Sequence, residues 1–277
     1  MDLVALRRKI ARTRLAPVAA FPVRLSAVVG HNARGVGSSA RWLVSSREHT
    51  NYTYDLTERN REHLAWWVSA ITGRPVAEAR GHLTEVLQDD DLVAHVREHT
   101  LRSSRRGLAD TTVRLGRRIG WYALLRALQP EHVIETGTDK GLGSVVLASA
   151  LLRNGHGRLT TIDVNPESGY LVTGRYGEVV DRVVGDSVAV LGSGEQPVDV
   201  FLHDSLHTFE YETAELSAVA PRLSPQAVVL SDNAHLSDAL ARWAEAGGRR
   251  FSFFAEQPEG HWYPGDGIGA AWGTTRQ

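Results

Sequence analysis

Short apolar runs alternate with longer amphipathic runs along the chain after Pro130. The short runs are rich in β-branched residues and end at glycine, proline or acidic residues, as strands do, whereas the longer runs repeat their apolar positions at helical spacing. Such alternation predicts a mainly parallel sheet with helices on both faces. The predicted strands cover residues 132–136, 158–163, 179–184, 198–203, 227–231, 250–254 and 267–272, and the predicted helices cover 142–153, 167–175, 187–191, 208–220 and 235–246.

A helical pattern without strands precedes this region. Its clearest run follows Asp55, places four apolar side chains on one side and ends at Gly73. The four side chains are those of Leu64, Trp67, Val68 and Ile71. Further helices are predicted over residues 76–88, 90–100 and 114–128. Residues 51–129 are therefore predicted to be a helical cap region, and residues 130–277 the core.

The first 50 residues have a less regular pattern. Pro17 and Pro22 interrupt an amphipathic start, and residues 30–39 are predicted to be a loop. The segment has nine Lys or Arg against Asp2 and Glu48, a net of +7, which leaves −8 for the rest of a chain whose net charge is −1. We interpret residues 1–50 as a basic arm that is solvated or packs on an acidic partner subunit, rather than as a nucleic-acid contact.

Composition excludes several kinds of site. The 277 residues are 42% hydrophobic and 23% charged, which is ordinary for a globular protein. No cysteine is present, so disulfides, thiolate metal sites, iron–sulfur clusters and a cysteine nucleophile are excluded. No apolar window is long enough for a membrane span, and the N-terminus lacks the apolar region of a signal peptide. We expect a cytoplasmic protein.

Acidic and amide side chains follow two of the predicted strands. Asp204 comes directly after the strand at 198–203, and Asp232 and Asn233 follow the strand at 227–231. If the two strands are parallel neighbours, these side chains converge at one edge of the sheet, with His207 one turn beyond Asp204. Oxygen ligands of this kind suit a hard divalent cation, and a histidine beside them suits proton transfer.

A glycine-rich turn links the first predicted strand to the following helix. It reads Glu135-Thr-Gly-Thr-Asp-Lys-Gly-Leu-Gly-Ser144. Glycines at such a turn let the backbone approach a ligand and leave helix N–H groups available. The spacing matches neither a P-loop nor a dinucleotide fingerprint. A plain tight turn remains the alternative.

The second and third predicted strands also end in acidic residues. Asp163 is placed to accept hydrogen bonds from ribose hydroxyls, with a helix N-cap as the alternative. Asp186 can accept from an adenine amino group or cap the helix that follows. A glycine loop and three strand-end acids in this order favour a ligand site.

This order of motifs resembles the class I S-adenosylmethionine-dependent methyltransferases, and more narrowly the small-molecule O-methyltransferases of the catechol and macrolide-sugar type. The resemblance covers Val133 to Gly273 and rests on IETGTDKGLGS, TTIDVNP, VVGDS, FLHDSLHTFEYE and VVLSDNAH. It implies an α/β fold with a doubly wound, mostly parallel, seven-stranded Rossmann-like sheet and an N-terminal helical cap. Such caps form lids and oligomer contacts. Tyr52, Tyr54, Trp66 and Trp67 are candidates for substrate contact, although we favour a buried helical core for the two tryptophans.

The resemblance implies S-adenosylmethionine as cofactor. The methionine part would lie against the glycine loop, Asp163 would hold the ribose, and Asp186 with Ser187 would border the adenine. The implied cofactor-binding residues are Glu135, Gly137, Thr138, Gly141, Ser144, Asp163, Asp186, Ser187 and Asp204.

The metal-dependent branch of these enzymes also implies a Mg2+ site. Its ligands would be Asp204, Asp232 and Asn233, and His207 stands where that branch places its base. Asp204 and His207 are thus the implied catalytic residues. The glycine loop departs from the best-known members, because it carries Asp139 and Lys140 in place of closely alternating glycines.

We therefore predict a Mg2+-assisted O-methyltransferase that acts on a hydroxyl of a natural product or sugar in secondary metabolism. The predicted partners are the small-molecule acceptor and further copies of the chain, without nucleic acid. Two alternatives stay open: an enzyme of this fold that performs cyclisation or elimination, and a non-catalytic subunit of a hetero-oligomer. Residues 261–264 are predicted either to wall the acceptor pocket or to form a hairpin loop.

Overall fold

The structure is a computed structural model that describes residues 13–14, 16–48 and 52–273, with only the backbone of Arg34. The amphipathic start predicted near the N-terminus lies outside the described residues. The chain separates into two compact units, residues 1–46 with 260–263, and residues 47–259 with 264–277.

The described part of the first unit is dominated by one long helix. Helix α1 spans Ala16–Ser45, so the loop predicted at residues 30–39 and the breaks at Pro17 and Pro22 are wrong. Pro17 lies in the first turn, where a helix needs no N–H donor. The hydroxyls of Ser38 and Ser39 both donate to the Gly35 carbonyl, so these small polar residues bond within the helix instead of forming a turn.

Aromatic contacts link α1 to residues 260–263 of the same unit. The rings of Trp42 and Trp262 have centroids 5.3 Å apart, and the Trp42 ring lies 6.3 Å from that of His261. Large apolar side chains of α1, such as Phe21 and Val44, are exposed. No described helix of the chain is long and apolar enough to cross a membrane.

Four helices precede the sheet in the second unit. They are α2 (Glu58–Thr72), α3 (Val76–Leu87), α4 (Asp90–Arg102) and α5 (Arg118–Leu128). The side chain of Thr57 caps α2 by accepting from the Asn60 N–H, and Gly73 ends the helix with a φ of +68°. The predicted apolar side of α2 is buried, but Trp66 is 56% exposed, so a buried position for Trp66 is wrong. It lies on the solvent side and donates to Glu62.

Helix α5 begins four residues later than predicted because of a glycine. Gly116 has a φ of +52°, which a continuing right-handed helix excludes. A Cβ at this position would lie 3.1 Å from the Tyr54 carbonyl oxygen. The chain therefore turns sharply at Gly116 and starts the helix at Arg118.

The sheet has seven strands and confirms the predicted fold class. The strand order is β3-β2-β1-β4-β5-β7-β6. The first five strands along the chain pair in parallel, whereas β7 is antiparallel to β5 and β6. The strands are β1 (His132–Thr136), β2 (Arg158–Asp163), β3 (Val180–Val184), β4 (Val198–His203), β5 (Leu223–Ser231), β6 (Arg250–Ala255) and β7 (Gly267–Trp272).

Helices connect most of these strands. They are α6 (Leu142–Asn154), α7 (Gly174–Gly177), α8 (Ser187–Ser193), α9 (Phe209–Val219) and α10 (Ala239–Ala246), with a 3₁₀ turn at Ala220–Arg222. The helix predicted at 167–175 is wrong, because only the single turn α7 forms there. Gly169 and Gly174 have φ values of +74° and +55°, which break a right-handed helix. The Gly169 N–H bonds instead to the Asp139 carbonyl at 2.6 Å.

The central strands end in register. Thr136, His203 and Ser231 lie side by side on β1, β4 and β5, above a core that includes Phe201, Leu216 and Val229. The register between β4 and β5 is irregular only near their beginnings, where Val198 pairs with Leu223 but Val200 pairs with Val228. The residues that follow His203 and Ser231 are therefore placed at the same edge of the sheet.

Candidate active site

Three side chains that could ligate a metal ion meet at this edge. The Asp204 N–H bonds to the Thr136 carbonyl at 3.0 Å, and the Asp232 N–H bonds to the His203 carbonyl at 2.8 Å, which continues the strand register into the loops. One potential ligand atom each from Asp204, His207 and Asp232 lies within 4.8 Å of the others. The structure thus brings together three of the four residues predicted at the metal centre.

Asn233 completes the group. Its backbone has a φ of +51°, and its Nδ2 atom donates to His207 Nε2 at 2.9 Å. Its Oδ1 atom is buried and has no hydrogen-bond partner among the described residues. A buried amide oxygen without a donor is costly unless a ligand uses it. This oxygen, together with the two carboxylates, fits a divalent cation with oxygen ligands.

The two carboxylates of the centre have opposite pKa shifts. Burial and the nearby charge of Asp232 raise the pKa of Asp204 well above its usual range. Burial also opposes ionisation of Asp232, but the Arg117 guanidinium outweighs it and lowers the pKa of Asp232. Two carboxylates so close together cannot both ionise easily without further positive charge.

Sequence reasoning missed a buried ion cluster around the second carboxylate. Arg117 immediately precedes α5, is buried, and donates through Nε and a terminal nitrogen to both oxygens of Asp232. Its other terminal nitrogen lies 3.4 Å from Glu256 Oε1 and 3.4 Å from Asp266 Oδ2. The only sequence signal was a pair of arginines, Arg117 and Arg118, ahead of an apolar helix.

His207 is suited to accept a proton. Burial lowers the pKa of the His207 imidazole, so the ring is neutral at neutral pH. Its Nε2 accepts from Asn233 and lies 3.8 Å from Asp204 Oδ1.

A second polar network lies beside the centre. Glu215, fully buried on α9, accepts from Thr136 Oγ1 at 2.8 Å and is bonded to His203 Nδ1 at 2.6 Å. It also accepts from the hydroxyls of Ser187 and Ser205. The rings of His203 and His207 are perpendicular, with centroids 5.4 Å apart. The network joins β1, β4, α8 and α9 next to the candidate base.

The glycine loop packs directly against Asp204 of the candidate metal centre. Gly137 has a φ of +87°, and a Cβ there would lie 1.9 Å from the Asp204 carbonyl oxygen. Gly141 has a φ of +89° and precedes α6, whose first turn receives no hydrogen bond from a capping side chain. The N–H groups at the start of α6 therefore suit an anionic ligand group.

Asp163 holds this loop in place. Its carboxylate accepts from the N–H groups of Thr138 at 3.0 Å, Asp139 at 2.9 Å and Asn165 at 2.8 Å. A carboxylate offers about four acceptor sites. The predicted ribose-binding residue is thus mostly engaged by its own backbone, with acceptor capacity left for one ligand hydroxyl.

Glu135 is buried below the loop. It accepts from the Ser144 hydroxyl and from Thr161 Oγ1 at 2.7 Å. Burial outweighs these two hydrogen bonds and raises the pKa of Glu135 to about 7. Glu135 and Ser144 are therefore bonded to each other behind the loop.

The residues predicted at the adenine have local roles in this structure. Asp186 caps α8 by accepting from the Ala189 N–H at 2.9 Å and accepts from the Tyr211 hydroxyl at 3.2 Å. The Ser187 hydroxyl belongs to the Glu215 network. Their predicted contacts with the adenine stay predictions.

A cleft of about 540 Å3 begins at the residue that follows Asn233. Apolar and polar side chains both line it, including Phe209, Leu236 and His235. Its position beside the candidate metal centre and its mixed lining suit a small molecule with both apolar and polar groups.

Comparison with known proteins agrees with this geometry. Residues 134–234 match a family described as a methyltransferase domain. No curated protein sequence matches the chain. Among solved structures, the O-methyltransferase TomG from Streptomyces achromogenes, involved in tomaymycin synthesis and bound to S-adenosylmethionine, is 20% identical with a TM-score of 0.52 over 68% of this chain and 91% of that one. A putative O-methyltransferase from Klebsiella pneumoniae is 16% identical with a TM-score of 0.54, over 70% of this chain and 94% of the other. The family match confirms the predicted methyltransferase domain over residues 134–234, and the solved structures share its fold.

Proposed function

We propose that this protein, whose residues 134–234 are a methyltransferase domain, transfers a methyl group from S-adenosylmethionine to a hydroxyl oxygen with the help of Mg2+. The observation that carries the proposal is the meeting of Asp204, His207 and Asp232 with the unpartnered Asn233 Oδ1 at the sheet edge, against the glycine loop. Neither the cluster of Asp204, His207, Asp232 and Asn233 nor the glycine loop alone is specific to a methyltransferase. Their direct contact supports a metal beside a cofactor.

The chain offers complementary groups for each part of S-adenosylmethionine. The start of α6 offers N–H donors for the methionine carboxylate. Asp163 has one acceptor site left for a ribose hydroxyl. Asp186 lies one strand further along the same edge, where we place the adenine.

Asp204, Asp232 and Asn233 would hold Mg2+ through oxygen atoms. When bound, the ion supplies positive charge that stabilises the negative charge developing on the acceptor oxygen. His207 Nε2 takes the hydroxyl proton after it gives up the hydrogen bond from Asn233 Nδ2. The charge of Asp232, which favours the protonated His207 ring against the effect of burial, then stabilises the imidazolium.

We propose a natural product or sugar as acceptor, bound in the cleft that begins after Asn233. TomG, which shares the fold, is an O-methyltransferase involved in tomaymycin synthesis. That likeness supports a secondary-metabolic acceptor. The homo-oligomer and the cytoplasmic location stay predictions.

Mass spectrometry with a panel of acceptors tests the proposal. The protein is incubated with S-adenosylmethionine, Mg2+ and a set of sugars and hydroxylated aromatic compounds. We expect one acceptor class to gain a single methyl group, with S-adenosylhomocysteine formed in equal amount. Asp204→Asn is expected to lower this turnover about a hundredfold or more, whereas Asp90→Asn, a change at an exposed residue of α4 outside the proposed site, is expected to retain most of it.

Three outcomes would contradict parts of the proposal. Full turnover in Asp204→Asn and in the presence of a chelator would show that methyl transfer does not need a metal. Conversion of an acceptor without methylation or cofactor consumption would favour cyclisation or elimination. If calorimetry detects no binding of S-adenosylhomocysteine, the proposed methyl transfer is contradicted. A role as a non-catalytic subunit of a hetero-oligomer would then be favoured.

A further inference from the structure

The positive charge of Arg117 lies among the carboxylates of Asp232, Glu256 and Asp266. The Arg117 side chain is only 8% exposed and bonds to both oxygens of Asp232. Glu256 and Asp266 lie 3.4 Å from the same guanidinium. Burial alone would lower the pKa of Arg117, but Asp232 and Glu256 outweigh it and raise that pKa well above its usual range. An arginine side chain stays protonated in proteins, so this buried guanidinium carries a positive charge.

The contact uses a carboxylate that the proposed metal also needs. A guanidinium fork occupies one acceptor direction on each oxygen of a carboxylate. A divalent cation at Asp232 would have to share that carboxylate and would be repelled by the fixed positive charge. Asp204, by contrast, is bound by no arginine hydrogen bond among the described contacts and interacts with Arg117 only through space.

We propose that Arg117 sets the divalent-cation affinity of this centre by competing with the cation for Asp232. This inference rests on the proposed metal-assisted function. It makes Arg117 a positioning residue that holds Asp232 when no cation is bound and weakens cation binding. The centre would then take up Mg2+ less tightly than its ligand set alone allows.

The neighbouring arginine offers a matched control. Arg118 also acts electrostatically on Asp204 and Asp232, and its guanidinium lies 5.5 Å from the Trp121 ring, compared with 5.9 Å for Arg117. However, no hydrogen bond joins Arg118 to Asp232 in the described contacts. A comparison of the two arginines therefore separates direct competition for Asp232 from a general loss of positive charge.

Mn2+ titration followed by electron paramagnetic resonance tests the inference on the full chain, without cofactor or acceptor. We expect Arg117→Met to bind Mn2+ at least about tenfold more tightly than the wild type. Arg118→Met is expected to stay within about threefold, because its charge acts only through space. Arg117→Lys keeps the charge but loses the guanidinium fork. Its affinity for Mn2+ should therefore lie between those of the wild type and Arg117→Met. Asp204→Asn should abolish tight binding.

Thermal unfolding and calorimetry with S-adenosylhomocysteine show whether each variant is folded. Folded Arg117→Met with the affinity of the wild type would overturn the competition while leaving the metal site in place. An equal gain in Arg118→Met would also overturn it, because charge alone would then be sufficient. If Arg117→Met does not fold, Arg117→Lys decides, and wild-type affinity there overturns the inference. Absence of Mn2+ binding in folded wild type and variants overturns both this inference and the proposed metal.

Discussion

Buried carboxylates of this protein differ according to the donors around them. Glu135 and Glu215 are both almost inaccessible to solvent. Glu135 is bonded to two hydroxyls, and burial raises its pKa to about 7. Burial acts in the same direction on Glu215, but the His203 hydrogen bond and charge, with two serine hydroxyls, lower its pKa. Two hydroxyl donors therefore do not offset the burial of Glu135, whereas the His203 ring together with the serine hydroxyls offsets that of Glu215.

The Glu135 carboxyl predicts a measurable pH dependence of stability. Its pKa is higher in the folded protein than in the unfolded chain, so its neutral form stabilises the fold. That contribution is complete below about pH 4.5 and is lost as the pH rises through about 7. The shift corresponds to about 3 kcal/mol. We expect Glu135→Gln to remove this loss, measured as free energy of unfolding in urea at pH 5 and pH 8.

The informative quantity is the difference between wild type and Glu135→Gln in the free energy of unfolding that is lost from pH 5 to pH 8. Glu256 also has a pKa raised to about 7, for which burial is the largest cause, and titrates in both. The wild type should lose more free energy of unfolding between the two pH values than Glu135→Gln does. Equal losses would show that Glu135 is already ionised at pH 5 in the folded protein.

The sequence alone was sufficient to predict those residues of the candidate metal centre that directly follow a strand. Asp204, Asp232 and Asn233 could be predicted because parallel strands place their carboxyl ends at one edge. Arg117 and Asp266 could not, because neither follows a strand. Glu256 does follow β6, but β6 lies two places away from β5 in the sheet, so no sequence pattern joined Glu256 to Asp232. Only the folded arrangement of α5 and the β6–β7 hairpin brings these three charges to Asp232.

Glycines with a left-handed backbone conformation determine where several helices begin or end. The structure corrects the helix predicted at 167–175 because Gly169 and Gly174 break it, which helical spacing of apolar residues cannot reveal. The opposite error occurs in α1, where Gly30 and Gly35 lie within a continuous helix. Glycine permits a turn but does not require one, so the sequence could not separate the two cases.

A pair of glycines tests the packing of the loop between β1 and α6. Gly137 and Gly155 have similar φ values of +87° and +77°, but only a Cβ at Gly137 would meet another atom, the Asp204 carbonyl oxygen. We expect Gly155→Ala to cost about 1 kcal/mol from backbone strain alone. Gly137→Ala should cost more and also weaken S-adenosylhomocysteine binding. Urea unfolding and calorimetry measure both effects.

Equal costs for the two substitutions would contradict the close contact between the loop and Asp204. Unchanged cofactor binding in folded Gly137→Ala would separate the loop from the proposed methionine site.

The second unit combines the helices before β1 and the sheet into one body. Asp89, which caps α4, accepts from the Ser149 hydroxyl of α6 at 3.0 Å. Asn60 of α2 bonds to the Ala255 carbonyl of β6 at 3.0 Å. The sequence predicted a helical cap over residues 51–129 and a core over residues 130–277, and that division stays a prediction.

This arrangement predicts that a ligand at the sheet edge stabilises the helices as well. At a hundred times its dissociation constant, S-adenosylhomocysteine should add about 2.7 kcal/mol to the free energy of unfolding. In a variant whose five other tryptophans are replaced by phenylalanine, the fluorescence of Trp67 and Trp121, both buried in helices before β1, should report the same shift as circular dichroism of the whole chain. A fluorescence transition that the ligand does not shift would show that these helices unfold independently.

The irregular pairing near the beginnings of β4 and β5 has a consequence for how this protein can evolve. Residues 224–227 are accommodated there while His203 still lies opposite Ser231. A one-residue slip at the other end would turn Asp232 to the opposite face of the sheet. Insertions and deletions can therefore accumulate at the start of these strands across generations, whereas a change of length at the ends that carry the acidic residues would misplace the site.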